Sequence, residues 1–189
     1  MLYLQYIFFL VVNYLIGSVP FGLIVGKYCD KDLQKLGSGN IGASNAVRIL
    51  GIKKGGLVFL LDFLKCFAGV LAVKYFYGQS FAVLCGFAVI FGHIFSVYNK
   101  FKGGKGVACL FALYAAINFF LAAFFAFCWG LLFVCFKKPF ISSIFASIAT
   151  GAVSYFFCDK FLFFVFIVLM LLIVFKHKAN IKEYLHRSK

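Results

Sequence analysis

Residues 107–136 read VACLFALYAAINFFLAAFFAFCWGLLFVCF and form one nearly unbroken apolar run. A helix needs roughly 20 apolar residues to cross a bilayer, so this run is too long for one ordinary span. It can form one long helix, or two helices that break near Asn118. The choice decides how many times the chain crosses the membrane and on which side its polar loops lie.

Most of the remaining sequence is equally apolar. The 189 residues are 65% hydrophobic and 13% charged, with a mean hydropathy of +1.04 and 29 phenylalanines. A soluble domain of this size could not bury that much apolar surface. We predict a single polytopic membrane domain over residues 1–189 without a cleavable signal, because the N-terminal segment lacks a basic start and can span the bilayer. The other apolar runs are approximately 2–26, 56–77, 80–98, 140–157 and 161–175.

The positions of the basic residues favour the split of the long run. With seven spans, all of the 19 Lys and Arg residues except Lys65, Lys74 and Lys160 lie on one side. With one long helix, the basic tail moves to the other side. Because cytoplasmic loops are enriched in Lys and Arg, we predict an all-α bundle of seven transmembrane helices, two of them short. The N-terminus is expected outside and the C-terminus in the cytoplasm.

The net charge of +14 comes with only five acidic residues. Such a charge suits nucleic acid, but the apolar composition argues against that partner. Two interpretations remain, and both can hold: basic loops that fix the topology, and a basic pocket that binds anions. The seven cysteines form no CxxC pair or His/Cys cluster, so we expect no metal site and interpret them as core or lipid-facing side chains.

Two glycine-rich segments fall on the predicted cytoplasmic side. GSGNIGASNAVR spans Gly37–Arg48 and FKGGKGVA spans 101–108. Glycines let backbone N–H groups turn toward an anion, while the arginine that ends the first segment and Lys105 in the second supply charge. The second segment also precedes a predicted helix that begins at Val107, and a helix N-terminus attracts anions. The alternative is two ordinary basic loops, the first with a helix N-cap at Ser44 or Asn45.

Other polar residues lie near the same predicted face. The spacing of Asp62 and Lys65 indicates an i, i+3 ion pair inside a span, rather than catalysis. His93 is interpreted as a core histidine that orients the 101–106 turn. The tail that begins at His177 is either part of the anion site or a solvated basic segment on anionic lipid.

The sequence excludes several enzyme classes. It has no H-x-x-x-x-D dyad, no G-x-S-x-G elbow and no paired acids placed to hold Mg²⁺. An enzyme built here would bind anions but have little general-base capacity, which suits a substrate with a good leaving group. The alternative class is a transporter or channel for a phosphate-bearing anion, which would place polar groups on both faces or break a helix at the bilayer midplane.

Taken in order, the motifs GSVPFG, GSGNIGASNAVR, GHIF, KFKGGKGVA and HKANI resemble those of the bacterial acylphosphate:glycerol-3-phosphate acyltransferase family. The resemblance covers nearly the whole chain. It implies a multi-pass enzyme of the bacterial inner membrane with its active site on the cytoplasmic face. Such an enzyme transfers a fatty acyl group from acyl phosphate to the 1-hydroxyl of sn-glycerol 3-phosphate. The products are lysophosphatidate and phosphate, in the first acylation of phospholipid synthesis.

The resemblance also implies partners and site residues. The expected partners are the two substrates and membrane lipid, with no metal, no cofactor and no nucleic acid. Catalytic roles are implied for Ser38, Arg48, Lys105, His177 and Asn180. Binding of substrate phosphate is implied for Gly37, Gly39, Asn40, Asn45, Gly103, Gly104 and Gly106. His93, Ser142 and Ser143 are second choices for the site.

The sequence departs from the family pattern at a few positions. Ser44 replaces the usual threonine and keeps a hydroxyl, and Ser96 stands where proline is common. Lys176 and Lys178 flank His177 where arginine is common. Lysine keeps the positive charge but lacks the two-pronged geometry of arginine.

Overall fold

The structure is a computed structural model that describes residues 2–187. Across this range all regular elements are helical, which confirms the all-α prediction. A 3₁₀ turn at Val97–Asn99 follows the fifth helix. The helices are α1 (Leu2–Ser18), α2 (Phe21–Tyr28), α3 (Ala43–Leu50), α4 (Ile52–Tyr77), α5 (Gln79–Ile94), α6 (Val107–Ile117), α7 (Phe119–Phe136), α8 (Pro139–Phe157), α9 (Lys160–Lys176) and α10 (Lys178–Arg187).

Five helical segments of the described chain are long and apolar enough to cross a membrane, and the pair α9–α10, bent by 43°, would add a sixth. Helix α6 has only 11 residues. At 1.5 Å per residue it is about 16 Å long, roughly half the thickness of a hydrocarbon core. It is a short helix of the kind that the sequence predicts. The five segments are Tyr3–Tyr28, Ile52–Tyr77, Gln79–Asn99, Phe119–Phe136 and Pro139–Phe157.

The long apolar run divides at Asn118, as the positions of the basic residues indicate. Asn118 lies in extended backbone, with φ −149° and ψ 110°. Its side-chain oxygen accepts hydrogen bonds from the backbone N–H groups of Phe120 (2.9 Å) and Leu121 (3.4 Å). This is an N-cap, which satisfies N–H groups that the first turn of a helix leaves without partners. The run therefore forms α6 and α7 rather than one long helix.

Lys74 closes the C-terminal end of α6. Its Nζ donates hydrogen bonds to the carbonyl oxygens of Ala116 (2.8 Å) and Ile117 (3.2 Å). These carbonyls belong to the last turn, where they have no partner within the helix and where the helix dipole favours a cation. Lys74 is one of the three basic residues that the topology prediction leaves outside the basic face, and here it has a structural use.

The first apolar run consists of two helices, because Pro20 lies between α1 and α2. Proline lacks the N–H that continues the helical hydrogen-bond ladder, and its ring clashes with the preceding turn. The carbonyl groups at the break bind side chains of other elements. Ser96 donates to the carbonyl of Ser18. Lys65 donates to the carbonyl of Val19 at 2.9 Å.

The described chain forms two compact units, the first of which ends at Ile117. In this unit α5 packs against α1, α4 and α6, and α3 packs against α4. Glycines let α1 and α5 approach closely. A Cβ atom added at Gly17 would lie 2.1 Å from the carbonyl oxygen of Val89, and one at Gly92 would lie 2.2 Å from that of Tyr14. The two helices therefore touch backbone to backbone.

In the second unit, α8 packs against α7 and α9. The buried face of α8 carries small hydroxyl side chains. Ser147 donates to the carbonyl of Ser143 (2.7 Å), and Ser154 donates to that of Gly151 (2.6 Å). Bonds to the preceding helical turn satisfy these hydroxyl groups where lipid offers no partner.

Replacing Asn118 with Ala removes the N-cap of α7. We expect the free energy of unfolding to fall by about 1 kcal/mol, the usual contribution of an N-cap side chain. Thermal unfolding of the purified protein in detergent measures the change. Asn118→Ser is the matched control, because serine keeps a capping oxygen and should unfold close to the wild-type temperature. Equal losses in both variants would contradict the capping role.

Candidate active site

Asn45 holds the glycine-rich loop that precedes α3. Its buried side-chain oxygen accepts from the backbone N–H of Ser38 at 2.9 Å. Its side-chain nitrogen donates to the carbonyls of Leu33 (3.1 Å) and Leu36 (3.0 Å). One amide thus makes three of its four possible hydrogen bonds to the loop. The position supports a role in shaping the loop, and phosphate contact by this side chain stays a prediction.

Two glycines give this loop its path. Gly37 and Gly39 have φ values of 62° and 69°, a left-handed conformation that glycine adopts without strain. A Cβ atom at Gly37 would also lie 2.3 Å from the side-chain oxygen of Asn45. Ser38, between the two glycines, is exposed, as is Arg48 on the last turn of α3. The structure therefore leaves both predicted catalytic residues of this segment accessible on the surface of the first unit.

The N-cap of α3 is Gly42, in extended backbone and without a side-chain cap bond. The alternative that Ser44 or Asn45 caps this helix is wrong, because both residues lie inside it. Asn40 is half-buried two residues before the cap. A Cβ atom at Gly42 would lie 3.0 Å from the Asn40 side-chain nitrogen, so the absence of a side chain at the cap lets Asn40 pack there.

The second glycine-rich loop is pressed against His93. The N–H of Gly104 donates to the His93 carbonyl at 3.0 Å. A Cβ atom at Gly103 would lie 2.0 Å from that carbonyl oxygen, and one at Gly104 would lie 2.1 Å from Nε2 of the His93 ring. Gly106 has φ 85°. The first two glycines are thus required by close contact, and the third by a left-handed backbone.

The loop leads directly into the N-terminus of α6. This helix begins at Val107, and the N–H of Leu110 bonds the Gly106 carbonyl at 2.8 Å. The N–H groups of the first turn therefore follow immediately after the glycines, next to the half-buried Lys105. A helix N-terminus with a neighbouring lysine binds phosphate through both N–H groups and charge. Phosphate binding by Gly103, Gly104, Lys105 and Gly106 stays a prediction.

A buried ionic cluster lies behind the second loop. Nζ of Lys65 is 2.7 Å from a carboxylate oxygen of Asp62, which confirms the predicted i, i+3 pair. The same Nζ is 3.0 Å from Nδ1 of His93. His93 is therefore a buried histidine with partners, as predicted, and its contacts with Gly103 and Gly104 fit the predicted role of orienting the turn.

Sequence reasoning treated the ion pair and the histidine separately, and the structure joins them. The sequence did indicate this contact, because Asp62, Lys65 and His93 lie near the same end of two consecutive spans. Helices α4 and α5 pack together, so polar groups at matching depth meet. Because polar side chains in lipid seek partners inside the protein, matching depth was grounds for expecting contact.

His177 and Asn180 lie in the second unit, at the bend between α9 and α10. His177 is the C-cap residue of α9, and only 3% of it is exposed. Its Nδ1 is 2.8 Å from the carbonyl oxygen of Ile173. Asn180 is half-buried on the first turn of α10. The alternative of a solvated tail is therefore wrong for His177, although Lys178 beside it is exposed.

Ser142 and Ser143 lie on the first turn of α8, and both are buried. Ser142 donates to the carbonyl of Lys138 (3.4 Å), and Ser143 to that of Pro139 (2.8 Å). The Ser143 hydroxyl also accepts a hydrogen bond from Trp129 Nε1 at 3.0 Å. These contacts are the common structural use of serine in a helix. The site role of both serines stays a prediction.

The donor set of the described residues suits anions. No group of three or more His, Cys, Asp or Glu side chains within residues 2–187 is arranged to hold a metal ion. Within the first unit, the structure brings His93 against Gly103 and Gly104, and the loop continues through Lys105 to α6. The N–H groups of the first turn of α6, which have no partner within the helix, and the positive charges of the two loops can neutralise phosphate oxygens and a developing oxyanion.

Comparisons with known proteins agree with this chemistry. A family model described as glycerol-3-phosphate acyltransferase matches residues 7–187. The glycerol-3-phosphate acyltransferase of Neorickettsia sennetsu is 37% identical over 177 residues, covering 94% of this chain and 93% of that protein. The Bacillus subtilis (strain 168) glycerol-3-phosphate acyltransferase is 36% identical over 186 residues, covering 95% and 94%.

Two crystal structures of PlsY (YgiH), an integral membrane glycerol 3-phosphate acyltransferase, have the same fold. The glycerol 3-phosphate form superposes with a TM-score of 0.93 at 34% sequence identity, covering 96% of this chain and 92% of that one. The lysophosphatidic acid form superposes with a TM-score of 0.90.

Replacing Gly104 with Ala places a methyl group against the His93 ring. We expect the free energy of unfolding to fall by roughly 1–3 kcal/mol, because a buried ring must shift to make room. Gly130→Ala is the matched control, since nothing lies within 4 Å of the added Cβ at that helical position. Thermal unfolding in detergent compares the two variants. A Gly104→Ala protein as stable as Gly130→Ala would contradict the close packing of loop and ring.

Proposed function

The chain belongs to the glycerol-3-phosphate acyltransferase family, and we propose that it transfers a fatty acyl group from acyl phosphate to the 1-hydroxyl of sn-glycerol 3-phosphate. The products are lysophosphatidate and inorganic phosphate, and the reaction is the first acylation of phospholipid synthesis. The observation that carries the proposal is the loop 103–106, which leads into the N-terminus of α6 beside Lys105. The two similar crystal structures, a glycerol 3-phosphate form and a lysophosphatidic acid form, support the acceptor and the product.

We place this enzyme in the bacterial inner membrane as one domain over residues 1–189. Seven crossings with the N-terminus outside would put both glycine-rich loops and the tail on the cytoplasmic face. The concentration of basic residues on that side supports the arrangement. The short α6, which ends at Ile117, and the capped break at Asn118 support a turn of the chain at this point. Glycerol 3-phosphate would then reach the site from the cytosol, and the acyl chain from the lipid.

In the proposed site, positive charge neutralises the phosphates of both substrates. Lys105 and the backbone N–H groups of the first turn of α6 hold one cluster of phosphate oxygens, while the Gly104 N–H is occupied by the His93 carbonyl. Arg48 offers a planar pair of donors to another, and the Ser38 hydroxyl adds a neutral donor. The acyl chain lies among the Phe and Leu side chains of the helices. Neutralisation and proximity would supply most of the rate.

The chemical step is nucleophilic attack of the glycerol 1-hydroxyl on the acyl carbonyl carbon. A C–O bond forms, and the carbonyl oxygen gains negative charge, which backbone N–H groups or Ser38 stabilise. The bond between the acyl carbon and the phosphate oxygen then breaks, and phosphate leaves. The hydroxyl proton passes to a phosphate oxygen of the substrate, because the five acidic residues and three histidines leave few side chains that can act as a general base.

We propose that His177 assists this proton transfer, a role that the family resemblance implies. A carbonyl oxygen only accepts hydrogen bonds, so the contact with Ile173 places a proton on Nδ1 of His177. In the neutral ring, Nε2 then carries the lone pair and is the nitrogen that can accept a proton. His177 serves either as this acid–base group or as the residue that orients Asn180.

Purified protein supplied with palmitoyl phosphate and sn-glycerol 3-phosphate, without added metal, tests the proposal. Released phosphate and lysophosphatidate are followed together, with palmitoyl-CoA in a parallel reaction. We expect turnover with palmitoyl phosphate alone. Activity only with palmitoyl-CoA would contradict the donor assignment. A folded protein without turnover would contradict the enzyme assignment and direct attention to anion uptake.

Replacing Arg48 with Ala removes a charged donor from the proposed phosphate site. We expect kcat/KM to fall by roughly 10- to 100-fold, because a hydrogen bond to a charged group contributes about 1.5–3 kcal/mol. Lys53→Ala is the matched control, since it removes an exposed positive charge from the same predicted face and should leave the activity unchanged. An Arg48→Ala protein that folds normally and keeps full activity would contradict the proposed site.

A further inference from the structure

We propose that Asp62, Lys65 and His93 form a buried positioning unit for the loop 103–106. Through this loop the unit would also fix Lys105 and the start of α6. The inference rests on the proposed function and deepens it, because it assigns the cause of the loop's geometry. None of the three side chains needs to touch a substrate. They are positioning residues, which act through the loop.

Lys65 is the centre of the unit. Its ammonium group carries three hydrogens and cannot accept a hydrogen bond. Three acceptors surround Nζ: a carboxylate oxygen of Asp62 at 2.7 Å, the carbonyl of Val19 at 2.9 Å and Nδ1 of His93 at 3.0 Å. The ammonium thus forms hydrogen bonds with the Val19 carbonyl and Nδ1 of His93, and an ion pair with Asp62. These three contacts hold it in one place between α4, α5 and the break after α1.

The position of Lys65 determines the state of the His93 ring. Nδ1 is 3.4 Å from the same carboxylate oxygen of Asp62, which lies closer to the ammonium. Facing an ammonium donor, Nδ1 accepts, so the proton of a neutral ring sits on Nε2. The Nε2 edge of this ring is the edge that contacts Gly104. The ion pair thus sets which side of the imidazole meets the loop.

His93 then holds the loop by two independent contacts. Its backbone carbonyl accepts from the N–H of Gly104 at 3.0 Å, and its ring fills the space beside the same glycine. A third contact reaches α6, because the thiol of Cys109 donates to the carbonyl of Asp62 at 3.2 Å. The unit therefore contacts the loop from behind and the helix that follows it. Rotation of the ring would shift the residues around Lys105.

Stability alone does not explain a charged cluster in this place. The side chains of Asp62 and Lys65 are each only 3% exposed. Burying two charges is so unfavourable that apolar residues of similar volume often replace a buried ion pair with no loss of stability. Apolar residues cannot fix the orientation of the His93 ring by a hydrogen bond. A fixed ammonium orients one nitrogen of an imidazole, and this orientation is what the loop contacts require.

Because a buried charge is unfavourable only when it loses its partner, single and double variants can distinguish a positioning role from a role in folding. Lys65→Met alone leaves Asp62 buried without its cation, so this variant should be unstable. The double variant Asp62→Leu/Lys65→Met removes both charges and should be clearly more stable than Lys65→Met alone, although the Val19 carbonyl also loses its donor. It nevertheless leaves Nδ1 of His93 without its donor. We expect kcat/KM for glycerol 3-phosphate to fall by roughly 10- to 100-fold, the scale of a misplacement by about 1 Å.

Hydrogen exchange supplies a readout that does not depend on the reaction. In the folded double variant, amide exchange in residues 101–108 should become faster, while exchange in α8 should stay unchanged. A stable double variant with wild-type kcat/KM and wild-type exchange in this loop would overturn the inference. If the wild-type protein does not turn over acyl phosphate and glycerol 3-phosphate, the proposed function fails, and loop exchange still decides the positioning role.

Two substitutions of His93 decide the question if the double variant does not fold. His93→Asn keeps a polar group near Nδ1 for Lys65 but removes the ring edge beside Gly104. His93→Gln reaches the position of Nε2 and keeps that contact. We expect the Gln variant to retain roughly tenfold more activity than the Asn variant at similar thermal stability. Equal activity of the two variants would overturn the inference.

Discussion

The hydrocarbon core of a membrane contains no water, so each polar group of a spanning segment must find its partner inside the protein. The polar contacts of this chain follow from that constraint. Lys65 is surrounded by three acceptors, and Lys74 closes the last turn of α6. Asn118 caps α7, and serines of α8 bond helix carbonyls. The contacts of Lys74 and Asn118 mark where helices end and begin, and those of Lys65 join one helix to another.

Glycine lets helices and loops of this chain approach one another closely. Helices α1 and α5 touch through Gly17 and Gly92, and the loop before α6 lies against His93 through Gly103 and Gly104. A side chain at any of these positions would meet backbone or ring atoms. The glycines of the loop before α6 are therefore fixed by contact with His93. Such a loop can present its N–H groups in one arrangement, which favours transition-state stabilisation over loose anion binding.

The chemistry assigned to this enzyme fits a chain with many cations and few acids. Acyl phosphate already carries a good leaving group, so the protein needs positive charge and orientation more than a strong base. The net charge of +14 and the exposed Ser38 and Arg48 agree with this division of work. We propose that the exposed charges contact substrate, and that the buried charges of Asp62 and Lys65 orient the backbone of the loop 103–106.

The sequence by itself determined the all-α class, the apolar runs, the division near Asn118 and the two glycine-rich loops, because run length, the positions of basic residues and glycine content can be read along the chain. It also indicated the family, since the order of the motifs is a property of the chain. It did not indicate that the first run divides at Pro20 into α1 and α2. Only the tertiary structure decided that Asn45 turns inward, that Gly42 caps α3 and that the Asp62–Lys65 pair meets His93. These outcomes depend on how a loop folds back onto its helix and on how two neighbouring helices pack, and the spacing of residues within one helix specifies neither.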